Sequence, residues 1–332
     1  MMQYTLEGVL ISVLFTVCFT IAMVFFGAFA LGMFQRLRDR KSKIYTPLLE
    51  IFKHASKETS TGVTTSASAR TLVLVAWTLS SFAAFLFIPW GSFSLLENTP
   101  AENALGNFQL FAVFGLLMVY PVGMMMLCFV SKRKASIFNL KYLAEDFFSE
   151  FITFLITTFS LLLLINNGWS FSSFPTIQNM IAFQGQERLA GVAFLGFFGL
   201  KNPLAMVAYF AAIPLILDPV AFSEDPVSRK WAPILDYTGK QLSWVKVVRV
   251  IRLVSLVAIL VDVYLGGARF TSTWYIDVPA FFVIVLVIVA VMSRVKLRAS
   301  TWLLDKKISG FFRVHTLLSF AGLALSFVLV YF

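Results

Sequence analysis

Gly8–Phe34 reads GVLISVLFTVCFTIAMVFFGAFALGMF, and Gln35–Lys57 continues at once as QRLRDRKSKIYTPLLEIFKHASK. This junction decides the fold. The first segment carries no charge and exceeds the roughly 20 predominantly apolar residues that one bilayer crossing needs. The second is dense in cations: Arg36, Arg38, Arg40, Lys41, Lys43, Lys53 and Lys57, with Arg70 a little further on. A basic loop directly after a spanning helix belongs on the cytoplasmic side, so the loop 35–70 is expected inside and the N-terminus outside. No basic segment precedes Gly8, and the run is too long for a signal-peptide core, so it is expected to stay as a helix.

The rest of the chain repeats this logic. With 59% hydrophobic residues, 13% charged and a mean hydropathy of +0.83, the 332 residues hold too little polar surface to face water as a soluble domain. Apolar windows predict crossings near Gly8–Phe34, Thr71–Leu95, Asn107–Val130, Glu145–Ile165, Pro203–Asp218, Trp244–Tyr264, Val278–Met292 and Phe311–Phe332. The segment Leu189–Leu200 is also apolar. Lys201, Asn202 and Pro203 break it, so it reads as interfacial or half-inserted rather than as a further crossing. The expected fold is therefore an all-α polytopic membrane protein: one transmembrane domain, 1–332, of about eight transmembrane helices with both termini outside.

Charge asymmetry agrees with that topology. Lys132, Arg133, Lys134 and Lys141 fall in the second inside loop. Arg229, Lys230 and Lys240 fall in the third, 219–243, and Arg294, Lys296, Arg298, Lys306 and Lys307 in the fourth. The outside loops hold Arg188, Lys201 and Arg269 beside Glu97, Glu102 and Glu187. The formal charge of +10 is thus a property of cytoplasmic helix ends, and lipid rather than nucleic acid is the expected partner. A multi-pass protein of the cell membrane, most simply a prokaryotic cytoplasmic membrane, follows. No inverted repeat of helical hairpins is visible, which weighs against a stand-alone secondary transporter.

Ionisable residues within the apolar zone are the candidate functional groups. Asp146 and Glu150 are spaced to share one helix face. Glu150 lies about 12 Å along its helix from Tyr142, near the middle of a hydrocarbon core of about 30 Å. Lys246, Arg249 and Arg252 form a slanted stripe on the sixth helix, with Arg252 at a depth matching Glu150. A charge at that depth costs about 2.5–3.5 kcal/mol unless paired or hydrated. Lys246 and Arg249 read equally as cations whose heads snorkel to the interface, and Asp146 as a helix cap. The short stem of Glu150 does not reach that far. Glu150 with Arg252 or Arg249 is therefore expected as an ionic centre, with Asp218 and Asp262 as weaker candidates that both read also as interfacial.

Cys18 and Cys128 sit inside apolar runs and read as small buried hydrophobes. His54 and His315 make a poor haem pair, and no phosphate loop, catalytic triad or metal cluster is present in the sequence. No redox centre is expected in this chain.

Thr46-Pro47-Leu48-Leu49-Glu50-Ile51-Phe52-Lys53-His54-Ala55-Ser56-Lys57-Glu58 resembles the first cytoplasmic loop of the complex I subunit 1 family, which reads Q-P-x-x-D-x-x-K-L-x-x-K-E. Glu50 falls on the family's acid, Lys53 on its first lysine, and Lys57 with Glu58 on its last pair. Asp236-Tyr237-Thr238-Gly239 is similar to the family's E-Y-S-G ahead of the sixth helix, and Asn202-Pro203-Leu204-Ala205 to its Q-P-L-A/G. Glu150, nine residues after Lys141, matches a helix glutamate of the hydrogenase-type members. The chain thus looks most like the membrane anchor subunits of energy-converting (group 4) NiFe hydrogenases and formate hydrogenlyases.

This resemblance implies a non-catalytic subunit of an oxidoreductase complex. Its docking residues would be Glu50, Lys53, Lys57, Glu58, Asp236, Tyr237 and Gly239. Its partners would be hydrogenase-like large and small subunits and antiporter-like membrane subunits. Iron-sulfur clusters with NiFe or flavin would reside in those partners. The family's acidic P-F-D-L-P-E-A-E segment is reduced here to Ala221-Phe222-Ser223-Glu224-Asp225-Pro226, and its G-R-x-G-P segment is lost. In complex I these stretches help to form the quinone route, so a quinone-chamber subunit stays as an alternative beside a stand-alone ion transporter.

Overall fold

A computed structural model describes residues 6–38, 43–56, 67–91, 108–130, 134–166, 176–186, 197–216, 237, 239–269, 273–299, 307–309 and 312–331. In chain order the elements are α1 (Leu6–Arg38), α2 (Thr46–Ala55), α3 (Ala67–Phe87), α4 (Gln109–Val130), α5 (Lys134–Asn166), α6 (Ile177–Gln186), α7 (Phe198–Lys201), α8 (Pro203–Ile216), α9 (Gly239–Tyr264), a 3-10 turn (Gly266–Ala268), α10 (Trp274–Ala299) and α11 (Val314–Tyr331). A short antiparallel ribbon, β1 (Lys307–Ser309) with β2 (Phe312–Arg313), leads into α11.

A helix lies at each expected crossing. Among the described residues, Ala67–Phe87, Gln109–Val130, Phe147–Asn166, Tyr275–Met292 and Val314–Tyr331 are long and apolar enough to span a bilayer, and Val17–Ala30 and Pro203–Ile213 are shorter apolar stretches. The 26 residues of α9 are long enough as well. It differs in carrying Arg249, Arg252 and Asp262 within its apolar part.

That helix forms the centre of the bundle. Every residue from Val250 to Tyr264 is buried, and α9 packs against α1, α2, α3, α8 and α10, and at its far end against α6, α7 and the 3-10 turn. The other helices lie around it. They turn apolar stripes outward at helical spacing: Val17, Ile21, Phe25 and Phe29 on α1, Leu72, Val75 and Leu79 on α3, and Val283, Val287 and Val291 on α10 are all exposed. Exposed aliphatic and aromatic stripes around a charged, buried helix suit a hydrocarbon surround.

Several boundaries differ from the sequence reading. The first loop contains a helix, α2, opened by Pro47 at its first turn, where the missing N–H removes no intrahelical bond. Arg70 belongs to α3 rather than to the loop and is buried. The helix that carries the fourth crossing begins at Lys134, well ahead of its apolar part, Phe147–Asn166. Between the fourth and fifth crossings the chain forms α6 and the one-turn α7.

The peripheral pair α5–α11 and its neighbour α8 are joined by small polar side chains. Ser149 Oγ lies 3.0 Å from His315 Nε2 and 2.9 Å from Thr316 Oγ1. Asn202 Nδ2 donates to the Gly322 carbonyl and to Ser326 Oγ, both at 2.7 Å. Small residues let backbones approach closely where no hydrophobic gain separates protein from lipid. Gly322 is the tightest point: a Cβ there would stand 2.8 Å from the Ala205 backbone nitrogen and 3.0 Å from its Cα. Backbone atoms have no rotamer by which to retreat. Gly322→Val is expected to separate α8 from α11 and to lower stability by about 1–3 kcal/mol, read as an earlier thermal transition of the detergent-solubilised assembly.

Candidate functional site

The amphipathic α2 lies across the start of α9. Its buried side, Pro47 and Ile51, meets the bundle. Ser243 Oγ donates to the Ile51 carbonyl at 2.9 Å, and Lys246 Nζ forms an ion pair with Glu50 Oε2 at 2.5 Å. The first inter-helix loop is thereby bonded to the helix carrying the buried arginines. The other side of α2 exposes Tyr45, Leu49, Phe52 and Lys53. Tyr237, two residues before α9, is buried against α3, and its hydroxyl donates to the Arg70 carbonyl at 3.0 Å. Gly239 starts α9 at φ +52°, a conformation open to glycine. Lys57, Glu58 and Asp236 lie outside the described residues.

Deeper in the bundle, Glu150 and Arg252 are both buried. The carboxylate of Glu150 is near enough to bear electrostatically on the Arg252 guanidinium. Tyr120 of α4 organises this centre. Its hydroxyl accepts a hydrogen bond from Arg249 Nε at 2.8 Å, and its ring lies against the Arg252 guanidinium at 4.5 Å. A delocalised guanidinium is weakly hydrated and favours an aromatic face, so one tyrosine serves both arginines. Trp77 of α3 packs on Tyr120, with ring centroids 4.6 Å apart, and its other neighbour is Tyr237 at 5.9 Å. An aromatic series therefore joins Tyr237, at the start of α3, to Arg252.

The sequence-predicted residues are thus partly assembled. Arg249 and Arg252 meet on Tyr120, Glu150 bears on Arg252, and Glu50 meets Lys246. Lys246 and Arg249, which read also as snorkelling cations, have specific partners in Glu50 and the Tyr120 hydroxyl. Asp146 lies on α5, its side chain outside the described residues, as is Asp218. Asp262 is enclosed by protein. It is fully buried, because α6 and the 3-10 turn cover the end of α9. Sequence reading missed Tyr120, Trp77 and Arg70. The usable signal was that a buried arginine needs a π face, but the sequence holds many aromatic residues to choose from. Among the described residues no group of His, Cys, Asp and Glu is arranged to hold a metal ion.

No family model matches the sequence, and no curated protein matches it. Among solved structures, the chain is similar to one chain of the membrane-bound sulfane sulfur reductase, an archaeal respiratory membrane complex, with a TM-score of 0.72 and 14% sequence identity. The similarity covers 95% of this chain and 99% of that one. This chain therefore has, end to end, the all-helical membrane fold of a subunit from such a complex.

Two substitutions separate the roles of Tyr120. Tyr120→Phe removes the hydroxyl that Arg249 bonds and is expected to cost about 1.5–3 kcal/mol. Tyr120→Leu also removes the face against Arg252 and is expected to cost about 2 kcal/mol more. Thermal unfolding of the two variants side by side checks the order. Equal transitions would remove the ring face from the account.

Proposed function

We propose that this chain is the membrane anchor subunit of a complex I-like energy-converting complex, of the kind found in membrane-bound hydrogenases. It holds a peripheral redox module and couples that module's electron transfer to proton or sodium-ion movement. The observation that carries this reading is that α2, whose outer face is exposed, is bonded to the helix of buried charges: Glu50 pairs with Lys246 and the Ile51 carbonyl accepts from Ser243 on α9, which sets Arg249 and Arg252 on Tyr120. In this reading the basic loops 35–70 and 219–243 face the cytoplasm and the chain crosses the membrane eight times, which puts α2 on the docking side.

The mechanism follows from the chemistry of a buried ion pair. Glu150 is ionised at modest cost while Arg252 is close, and favours its protonated form when that charge is withdrawn. A docked module whose redox state alters the force on α2 shifts α9 through the Lys246 and Ser243 contacts, and with it the balance between the two forms of Glu150. Partner subunits supply the iron-sulfur and NiFe or flavin chemistry. They also set the terminal acceptor: protons in hydrogenase-type complexes, sulfane sulfur in the complex whose chain shares this fold. Antiporter-like membrane subunits receive the bias that leaves Glu150.

Two measurements test this reading. Affinity purification of the chain from its native membrane is expected to bring down water-soluble iron-sulfur subunits. Lys246→Glu is expected to weaken that association, and the exchanged pair Glu50→Lys with Lys246→Glu to recover part of it, within the roughly 1 kcal/mol that a partly exposed ion pair supplies. Glu150→Gln is expected to leave electron transfer running while ion translocation into sealed vesicles is lost. Normal translocation in that variant refutes the coupling role, and recovery of the chain alone refutes docking.

A further inference from the structure

Asp262 has no place in the centre around Tyr120. It lies ten residues beyond Arg252, about 15 Å further along α9 at 1.5 Å per residue. It is 0% exposed, and both of its carboxylate oxygens lack a hydrogen-bond partner. An ionised carboxylate in that setting bears nearly its whole desolvation cost. A protonated one loses only the hydrogen bonds a neutral acid would make, a few kcal/mol. The geometry therefore favours the neutral acid at rest, and ionisation requires water or a cation to come to it.

The surroundings provide an access route. At about 100° per residue, Ser255 and Asp262 fall within about 80° of Arg252 around the helix axis, so α9 presents one polar face along its buried length. Ser255 Oγ is likewise buried without a hydrogen-bond partner. On the side away from α2, the cover over Asp262 is the turn Gly266, Gly267 and Ala268, with φ of +71°, +66° and +52°. A left-handed alanine is strained by about 1–3 kcal/mol and persists only where its surroundings impose it. A Cβ at Gly267 would stand 3.1 Å from Asp262 Oδ1 and 2.9 Å from Ile181 Cδ1 of α6, so the turn and one aliphatic side chain close over the acid together. The next residue, Arg269, is exposed, and its charge is the one that bears on Asp262. Its Nε donates to the Gly91 carbonyl at 3.1 Å. Tyr209 of α8 is the neighbouring titratable group, its hydroxyl donating to the Leu256 carbonyl at 3.3 Å.

We propose that Asp262 is a second intramembrane proton-binding site, which exchanges its proton beneath the glycine turn with the side of the membrane opposite α2. The step balances simply. The acid O–H gives its proton to a water admitted under the turn, the carboxylate is held meanwhile by the charge of Arg269, and a proton returned by that water restores the acid. The contribution of this site to energy coupling rests on the function proposed above. Its protonation does not.

The test uses the intact complex purified with this chain. Infrared spectra with isotope-labelled aspartate are expected to show a protonated-carboxyl band that shifts in heavy water, disappears in Asp262→Asn, and weakens as pH rises. Absence of that band, or a band that never exchanges, overturns the proposal whether or not the complex moves ions. Asparagine mimics the neutral acid, so Asp262→Asn is expected to assemble and transfer electrons normally while losing ion translocation in sealed vesicles. If Glu150→Gln abolishes translocation and Asp262→Asn leaves it intact, the second site is refuted and the anchor function stands. If neither variant affects translocation, the coupling reading fails as well, and exchange of the infrared band alone decides whether Asp262 binds a proton from solution.

Discussion

Burial of the Arg252 guanidinium is the constraint around which the molecule is arranged. A cation on an isolated helix in hydrocarbon is expensive, whichever scale is used. The bundle meets that cost by surrounding α9 with neighbours and turning its apolar helices outward, the inverse of a water-soluble protein. Within that enclosure each charge receives a different kind of partner. Arg252 has the Tyr120 face and the field of Glu150, Arg249 has the Tyr120 hydroxyl, and Lys246 has Glu50. The gradation follows depth. Lys246, a quarter exposed, is matched by full charge, whereas the deepest cation rests on a polarisable ring.

The closure of α9 at its far end depends on a single amide. Gln184 Nε2 reaches the carbonyls of Met180, Asp262 and Val263 at 3.1–3.3 Å, while its Oε1 accepts the Phe198 N–H at 3.1 Å. Helix C-termini leave carbonyls without intrahelical donors, and in an apolar setting each must find one. Here one side chain of α6 supplies donors to the end of α9 and an acceptor to the start of α7. This explains why the short pieces between the fourth and fifth crossings pack inward. They complete the hydrogen bonding of the central helix and, in doing so, enclose Asp262.

The positions of the spanning helices were legible because a bilayer demands long apolar runs, and Thr71–Leu95 or Asn107–Val130 admit no other reading. The matching depths of Glu150 and Arg252 were legible from their distances along the two helices, and the Glu150 charge bears on that guanidinium. What stayed hidden shares a physical cause: it depends on neighbours rather than on local sequence. Tyr120 and Trp77 look like any aromatic residue in an apolar helix until Arg249 and Arg252 are placed beside them. Asp262 reads as interfacial by its distance along the helix, and only the fold-back of α6 makes it a core residue. The helix α2 was masked by its charge, since Lys53 and Glu50 suit a solvated loop as readily as an amphipathic helix. The resemblance of Asp236-Tyr237-Thr238-Gly239 to a family motif takes on structural meaning through Tyr237, whose ring ends the aromatic series and whose hydroxyl holds the start of α3.

The arrangement favours mechanical over purely electrostatic transmission along α9. Arg252 and Asp262 are about 15 Å apart, beyond a Debye length of about 8–10 Å wherever solvent enters, and no proton crosses that distance without an intermediary. A helix of 26 residues held at both ends behaves differently. Its first turns are fixed to α2 by Ser243 and Lys246, and its last carbonyls to Gln184, so a small axial or rotational shift imposed at one end arrives at the other. Such a shift would move Arg252 relative to the Tyr120 ring and Asp262 relative to the strained glycine turn in the same motion. Both acids would then change proton affinity together without exchanging charge, which is the requirement for converting an event at a docking face into opposite protonation changes on two sides of a membrane.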